Sequence, residues 1–398
     1  MDLLIQFSKR GEALIGQEMF VIRELSSKLE ANGNYIHHLE LGEPKSNKGV
    51  KNYPPGKIIN RTIGSLLNND IGYTSPAGLW SLRRELSEYF TKKYQKQIQV
   101  DNIAISPANM LIFQLLDIIC ERNDNVGLFT PAFPSYLAVA KYIGLEIAET
   151  ALRRDDGFCV TCDSVDYMFS LNPKVVFVNS GNNPTGAVYN ESILRYLIDK
   201  AKSHDCWVIS DETYSMLSYG KEYCSMLNFD YEKLVIISSF SKVFSIPGYR
   251  VGYVVADLRI IDKITLSSST IYSSLPIFTQ EGIFGGISIM DEFAAEKRTY
   301  YKQLSKECTE IINESSYIRC NVPESAFYLF IDIRKLKIDS KTFCLRLLNE
   351  YNTAVTPGTS FGYEGFIRAA FCGNIDDVKA GLNQIVLFAE ELMNDKGI

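Results

Sequence analysis

Polar side chains that could do chemistry come shortly after several apolar runs of the sequence. They are an amide, a carboxylate with a nearby phenol, and a lysine with a nearby arginine: Asn183, Asp211 with Tyr214, and Lys242 with Arg250. A lysine amine can form a Schiff base with an aldehyde cofactor. A carboxylate can pair with a protonated ring nitrogen, and an arginine can bind a phosphate through two donors. Such a set of groups could bind a phosphorylated, nitrogen-containing aromatic molecule covalently.

The apolar runs are the predicted strands of a sheet that must bring these side chains together. The runs lie at 102–106, 126–130, 175–179, 207–210, 234–238 and 253–256, and helical patterns lie at 110–120, 135–143, 193–203 and 260–267. This alternation is typical of βαβ units and of a mostly parallel sheet with helices on both faces. Because ligands bind beyond the carboxyl ends of such strands, we expect the polar side chains to meet at one edge of the sheet.

The length and the change of pattern along the chain predict two domains. A chain of 398 residues exceeds the roughly 250–300 residues that one hydrophobic core usually supports. We predict a large α/β domain over 46–281. Beyond it the pattern changes to a long charged helix at 290–313, followed by short strands and further helices. Residues 1–45 and 282–398 are therefore predicted to form a smaller α+β domain.

The composition argues against several functional classes. The formal net charge is −6, which gives no global attraction to nucleic acid or to an anionic membrane, and 3 histidines argue against a histidine-rich metal site. The 9 scattered cysteines favour reduced thiols in the cytoplasm over a disulfide framework. Cys159 and Cys162 form a Cys-x-x-Cys pair, but the second pair of a zinc site is missing. No apolar run approaches the ~20 residues needed to span a bilayer.

Six motifs in one order carry a resemblance to a known enzyme family. Three surround the polar side chains: Asn-Asn-Pro-Thr-Gly at 182–186, Ser-Asp-Glu-x-Tyr at 210–214, and Ser-x-Ser-Lys-x-Phe-x-x-x-Gly-x-Arg at 239–250. The others are Leu-Gly-Glu-Pro at 41–44, Tyr-x-x-x-x-Gly-x-x-x-Leu-Arg at 73–83 and Phe-Ile-Arg at 366–368. With these motifs the sequence resembles the class I and II aminotransferases, which are pyridoxal-phosphate enzymes of fold type I. The resemblance implies a large domain with a mostly parallel sheet flanked by helices, and a smaller α+β domain.

The resemblance also implies a pyridoxal 5′-phosphate cofactor and a role for each polar side chain. Lys242 would hold the cofactor as a Schiff base and carry a proton during catalysis, and Asp211 would pair with the ring nitrogen. Tyr214 and Asn183 would hydrogen-bond the phenolate oxygen of the cofactor. A further set of residues would bind the phosphate: the backbone of Ala108 and Asn109 at a helix start, Ser239, Arg250, and the partner's Tyr73 in a homodimer.

Three more residues are implied to face the cofactor ring or the substrate. Phe133 lies where the family places an aromatic side chain against the ring, with core packing as the alternative. Arg368 resembles the arginine that binds the α-carboxylate of the substrate, with a structural ion pair as the alternative. Gly42 would leave room for the substrate backbone, or it is only a turn glycine. Asn183 would contact the substrate as well as the cofactor.

The function implied is transfer of an amino group from an amino acid to a 2-oxo acid by a ping-pong mechanism. Other reactions of the same cofactor on this fold are the alternative: a β-lyase, decarboxylase, cyclase or oxidase. A non-catalytic ligand-sensing domain is disfavoured, because no basic helix-turn-helix pattern precedes the first motif. We expect a cytoplasmic homodimer with shared active sites that binds no metal, nucleic acid or membrane.

The substrate stays open at this point. The segments that match the family poorly, and that would determine selectivity, are 11–23, 46–56, 271–276 and 356–363. No second arginine has a context that marks it as a clamp for a side-chain carboxylate, although a partner subunit could supply one. The sequence therefore predicts neither the amino donor nor the acceptor.

Overall fold

Helices and strands alternate along most of the chain. The computed structural model describes residues 7–12, 14–45 and 53–394. Its strands are β1 (His37–His38), β2 (Ile103–Ser106), β3 (Asn125–Thr130), β4 (Glu146–Ala151), β5 (Val175–Val178), β6 (Trp207–Asp211), β7 (Leu234–Ser239), β8 (Gly252–Val255), β9 (Tyr328–Asp332), β10 (Thr353–Ala354), β11 (Thr356–Pro357) and β12 (Phe366–Ala370). Its helices are α1 (Lys9–Glu12), α2 (Glu18–Ala31), α3 (Gly56–Leu67), α4 (Trp80–Tyr94), α5 (Ala108–Ile119), α6 (Pro134–Ile143), α7 (Cys162–Ser170), α8 (Glu191–Ser203), α9 (Phe240–Val243), α10 (Leu258–Ile271), α11 (Ile277–Ile287), α12 (Met290–Asn313), α13 (Ser340–Tyr351) and α14 (Ile375–Asn394). Within the described ranges, no helix has both the length and the apolar composition needed to cross a bilayer.

A seven-stranded sheet with the order β2-β8-β7-β6-β5-β3-β4 forms the centre of the molecule. Strands β3 to β7 pair in parallel, and β8 runs antiparallel to both of its neighbours. Each predicted apolar run became a strand with ends within one residue of the prediction. The seventh strand, β4, was not predicted, because it lies at the sheet edge and only alternate residues of it are buried. The mostly parallel α/β sheet is therefore confirmed.

The sheet is buried on both faces, as expected for nearly continuous apolar strands. In β7, Ile236 packs into one core while its neighbours Val235 and Ile237 pack into the core on the opposite face. Helices α5, α6 and α10 cover the latter face, and α4, α7, α8 and α11 cover the former. The sheet is thus rigid, so the carboxyl ends of its strands can hold side chains in fixed positions.

A further core joins the two ends of the chain. Ile22 and Leu39 from the N-terminal segment pack with apolar residues of α12, α13, α14 and β9. β1 pairs in parallel with β10, with His37 opposite Thr353, and β11, β12 and β9 form an antiparallel sheet. The predicted domain boundary after residue 281 falls within α11, and the division into two domains stays a prediction.

Candidate active site

A cavity of about 490 Å³ opens at the carboxyl ends of the central strands and gathers nearly all predicted site residues. They are Gly42, Ala108, Asn109, Phe133, Asn183, Asp211, Tyr214, Ser239, Lys242, Arg250 and Arg368. Tyr73 does not line the cavity of its own chain, and 89 % of its surface is exposed. The strand ends that carry these residues therefore meet at one edge of the sheet, as expected from the sequence.

Lys242 lies on α9, a short helix that begins directly after β7. The hydroxyl of Ser239 caps this helix by accepting the backbone N–H of Ser241 at 3.1 Å. The Nζ of Lys242 donates to the carbonyl oxygen of Gly42 at 2.7 Å. Burial lowers the pKa of Lys242 to about 8, and the nearby guanidinium groups add to that effect. An amine with such a pKa is partly neutral near neutral pH, which is the form that attacks an aldehyde.

Asp211 ends β6 with its carboxylate buried at the floor of the cavity. One carboxylate oxygen accepts the hydroxyl of Tyr136 at 2.7 Å, and the other accepts the backbone N–H of Thr213 at 3.0 Å. Burial raises the pKa of Asp211, while these two hydrogen bonds oppose the rise. A cation beside the carboxylate would favour its charged form further. Tyr136 was missed by sequence reasoning, although it lies three residues after Phe133 and hence on the same side of α6.

The start of α5 lines one corner of the cavity with Ala108 and Asn109. The residue before Ala108 is a proline, and no side chain caps this helix, so its first N–H groups are available to an anion. Ser239 and Arg250 line the same cavity. Gly252 allows β8 to approach this corner, because a Cβ there would lie 2.4 Å from the carbonyl oxygen of Ser238.

Arg368 projects from β12 and is only 1 % exposed. Its Nη1 donates to Oδ1 of Asn183 at 3.0 Å, and its Nη2 donates to the carbonyl oxygen of Glu40 at 2.6 Å. The rings of Tyr328 and Phe361 lie 4.5 and 4.9 Å from the guanidinium carbon. The acceptors are neutral oxygens rather than the carboxylate of a structural ion pair, and the buried Nε has no hydrogen-bond partner among the described residues. The guanidinium therefore has one unused donor, and its role toward a substrate carboxylate stays a prediction.

Tyr214 and Gly42 are connected by a residue that the sequence analysis did not single out. The hydroxyl of Tyr328 lies 2.6 Å from that of Tyr214, within hydrogen-bond distance. A Cβ on Gly42 would lie 1.9 Å from the Tyr328 hydroxyl oxygen, so the space that this glycine leaves is taken by Tyr328. Burial raises the pKa of Tyr214 far above its usual value. Tyr214 is therefore a neutral hydroxyl that can donate a hydrogen bond.

Some motif residues serve the fold. Arg83 donates to the carbonyl oxygen of Ile103 at 2.7 Å, which fixes α4 against β2. Phe133 lines the cavity and also meets the ring of Tyr136 at 5.6 Å, so it takes part in core packing, and its place against a cofactor ring stays a prediction. Cys162 begins α7 and is exposed. No cluster of metal-ligating side chains occurs among the described residues.

The predicted selectivity segments contribute unequally to the cavity. From 11–23, the cavity is lined by Gln17, Met19 and Phe20. The segments 271–276 and 356–363 contribute no lining residue among those described. Most of the segment 46–56 lies outside the described residues. The start of α2 is thus the part of the predicted set that reaches the site.

Comparison with known proteins identifies the family. Residues 42–385 match the family of aminotransferases of class I and II, which covers most of the chain. The chain belongs to this family. Its members use pyridoxal phosphate, so the aminotransferase is a pyridoxal-phosphate-dependent enzyme.

Individual relatives agree with this assignment. The aminotransferase is 30% identical over 386 residues to a (5-formylfuran-3-yl)methyl phosphate transaminase of Methanocaldococcus jannaschii, covering 93% of this chain and 96% of the relative. It is 27% identical over 382 residues to an aspartate aminotransferase of Thermotoga maritima, covering 94% and 96%. A solved aspartate aminotransferase structure from Thermotoga maritima superimposes with a TM-score of 0.88 at 26% identity, covering 96% of this chain and 100% of that chain. These findings confirm the predicted family, fold class, activity and cofactor.

The residues of the cavity fit pyridoxal phosphate. Asp211, 6 % exposed, offers a buried carboxylate to a ring nitrogen. The uncapped start of α5 offers N–H groups to a phosphate, and Lys242 offers an amine to an aldehyde in the same cavity. The roles of the individual residues stay predictions.

Proposed function

We propose that this aminotransferase holds pyridoxal phosphate through Lys242, Asp211 and Arg250 and binds the α-carboxylate of its substrate through Arg368. The observation that carries the proposal is that one cavity brings these four side chains together. When bound, the cofactor supplies an electron sink for negative charge at the substrate Cα. The protein supplies position and charge.

The contacts around each side chain support its proposed role. Asp211 holds the ring nitrogen and is itself oriented by Tyr136 and Thr213. Tyr214 donates to the phenolate oxygen of the cofactor, since burial keeps its hydroxyl neutral. Asn183 is proposed to contact both cofactor and substrate. Its side-chain oxygen already accepts from the arginine that binds the substrate carboxylate.

Lys242 is the residue that carries the proton in both half-reactions of the ping-pong cycle. Its amine is the group that would hold the cofactor through the aldehyde when the cofactor is bound. Because burial lowers its pKa to about 8, the Nζ of Lys242, when not bonded to the cofactor, would be able to take a proton from the substrate Cα and to give it back. The phosphate is held meanwhile by the start of α5 together with Ser239 and Arg250.

Chemical reduction of the holoenzyme tests this assignment. Borohydride should fix the cofactor to a peptide that contains Lys242, as read by mass spectrometry. Lys297 offers a matched control, because it is the buried lysine on α12 and should carry no label. An adduct on any lysine other than Lys242 would refute the proposed function.

The proposed amino donor has an uncharged side chain. The cationic side chains among the described lining residues are Lys242, Arg250 and Arg368, and each already has a role. The remaining wall at the start of α2 consists of the amide Gln17 and the apolar Met19 and Phe20. A second carboxylate would therefore meet no free cation on this wall.

A donor panel tests the substrate class. With pyruvate or 2-oxoglutarate as the acceptor, kcat/KM for leucine, methionine or phenylalanine should exceed that for aspartate, the substrate named for several relatives. Met19→Arg should raise kcat/KM for aspartate, because it adds a cation to the wall. If aspartate is the best donor of the wild-type enzyme, the proposed substrate class is wrong.

The proposed assembly is a homodimer with shared active sites. Exposed apolar side chains extend from the end of α3 to residue 73 and include Leu66, Leu67, Ile71 and Tyr73. Exposed contiguous apolar surface marks interaction sites. A second copy suits this surface, because Tyr73 does not line its own cavity and could reach the phosphate corner of the partner. The free state of all 9 cysteines supports a cytoplasmic location.

Mixed subunits test the shared site. A chain with Tyr73→Phe combined with a chain with Lys242→Ala should give heterodimers with one complete site and one site lacking both groups. Activity of the exchanged mixture should exceed that of either variant alone. If subunits exchange and no activity is gained, the shared site is refuted.

A further inference from the structure

Lys297 is a buried lysine that no step of the proposed reaction uses. It lies on α12 and is 2 % exposed. Burial lowers its pKa to about 7, and the effect of the Cys372 thiol in the opposite direction is smaller. Lysine side chains are almost never fully buried without a partner of opposite charge. The contacts of Lys297 must therefore explain why this lysine is buried.

The contacts of Lys297 lie on the turn that carries Lys242. Its Nζ donates to the hydroxyl of Ser245 and lies 3.5 Å from the backbone carbonyl oxygen of Lys242. In a continuing helix, the N–H of Ile246 would donate to the carbonyl oxygen of Lys242. Here it donates to the carbonyl oxygen of Ser241 instead, at 3.1 Å. The helix α9 ends at Val243, so the carbonyl of Lys242 depends on a partner from outside the helix.

The chemistry of a neutral amine matches these two acceptors. A neutral lysine has two N–H donors, one for the Ser245 hydroxyl and one for the Lys242 carbonyl. The ring of Phe293 lies 4.9 Å from Nζ and favours the charged form, while burial disfavours it. The groups that face Nζ are therefore an aromatic ring, a hydroxyl, a carbonyl and the Cys372 thiol.

We propose that Lys297 is a positioning residue for Lys242: it anchors the end of α9 by hydrogen bonds and so fixes the backbone from which the Lys242 amine extends. The inference rests on the proposed function, because it assigns Lys242 as the cofactor lysine. It adds a contact from α12 to the turn that follows β7 of the central sheet. Ser245 has a φ of 56°, so the chain turns sharply at the anchored point.

The test compares three holoenzyme variants with the wild type. Lys297→Met keeps the length of the side chain and removes the donor, and Lys297→Gln keeps a donor. Arg298→Met is the matched control, because Arg298 also donates to a backbone carbonyl from α12, but to that of Met216 at 3.1 Å. The readouts are kcat, KM and the pH midpoint of the visible absorption of the bound cofactor without substrate.

For Lys297→Met we expect kcat to fall about five- to tenfold with KM nearly unchanged, as for the loss of one or two hydrogen bonds. The pH midpoint of the cofactor absorption should shift by about half a pH unit or more, because the Lys242 nitrogen bonded to the cofactor takes up its proton in a changed position. Lys297→Gln should recover most of kcat, and Arg298→Met should behave as the wild type.

Two results would overturn the inference: wild-type kcat and absorption midpoint in Lys297→Met, or equal losses in Lys297→Met and Arg298→Met. If Lys297→Met does not fold, Ser245→Gly removes one contact at a φ that glycine adopts without strain. Wild-type kcat in that variant would then overturn it. Borohydride labelling distinguishes failure of the proposed function from failure of this inference. An adduct away from Lys242 refutes the proposed function. An adduct on Lys242 with unchanged kinetics refutes only the role of Lys297.

Discussion

Replacing Arg368 by lysine keeps a positive charge in the cavity and removes the planar group with several donors. The guanidinium donates to Asn183 and to the carbonyl of Glu40, and its Nε–H has no acceptor in the part of the chain that the structure describes. An ammonium carries its three donors on one atom. If the lysine ammonium keeps the two contacts to the protein, it has one donor left for the substrate carboxylate and loses the second, fixed donor of the guanidinium.

The expected loss follows from these contacts. A hydrogen bond to a charged group contributes ~1.5–3 kcal/mol. At ~1.4 kcal/mol for each factor of ten, losing one such bond in the transition state lowers kcat/KM by about ten- to a hundredfold. The rings of Tyr328 and Phe361 also lose a flat cation to stack on, so the unfolding temperature should fall as well.

The assay measures kcat/KM for the amino donor together with cofactor absorbance and thermal unfolding. The Arg368→Lys enzyme should stay folded and keep its cofactor, because the phosphate corner lies elsewhere in the cavity. Arg250→Lys is the matched control and should weaken cofactor retention first. The reasoning is refuted if Arg368→Lys retains wild-type kcat/KM, or if it loses the fold and the cofactor together.

Three further substitutions test other contacts. Tyr136→Phe removes a donor that lowers the pKa of Asp211, so cofactor affinity should fall about fivefold in equilibrium dialysis, and unchanged affinity would contradict this role. Gly42→Ala should lower both the unfolding temperature and kcat, since its Cβ would collide with Tyr328; a wild-type melting curve would show that the tyrosine moves freely. Burial lowers the pKa of His38, but the interactions of its ring with Glu40 and Glu30 outweigh burial and raise that pKa. The stability that protonated His38 contributes is therefore fully present below about pH 6.5 and is lost as the pH rises through the raised pKa. Urea unfolding should therefore show that His38→Gln lowers the free energy of unfolding more in acid than in alkali. A loss that does not depend on pH would contradict the interaction of His38 with Glu40 and Glu30.

The parts of the fold predicted well are those with a local signal. Apolar runs of β-branched residues predicted six strands of the sheet, because strands buried on both faces leave little room for polar residues. The edge strand β4 and the helices α3, α4 and α11 have mixed patterns and were not predicted. Lys242 and Asp211 were found because both lie in motifs at the carboxyl ends of predicted strands.

The residues that the sequence analysis missed act across long separations. Tyr136 lies 75 residues from Asp211, and Tyr328 lies 114 residues from Tyr214. No spacing along the chain marks such pairs, since the fold alone brings them into contact. Lys297 shows the same limit, because a lysine on a charged helix is usually solvated.

The pairing of β1 with β10 has a consequence for how the enzyme is made. His37 leaves the ribosome long before Thr353, its partner in the parallel ladder. At ~5–20 residues per second, the nascent chain carries the unpaired N-terminal segment for a time on the order of 15–60 s. Ile22 and Leu39 stay without their core during this time, and Arg368 is synthesised only after Thr353. A prematurely released chain therefore lacks both the core that covers its N-terminal segment and the arginine proposed to bind substrate, so it is aggregation-prone and inactive at once.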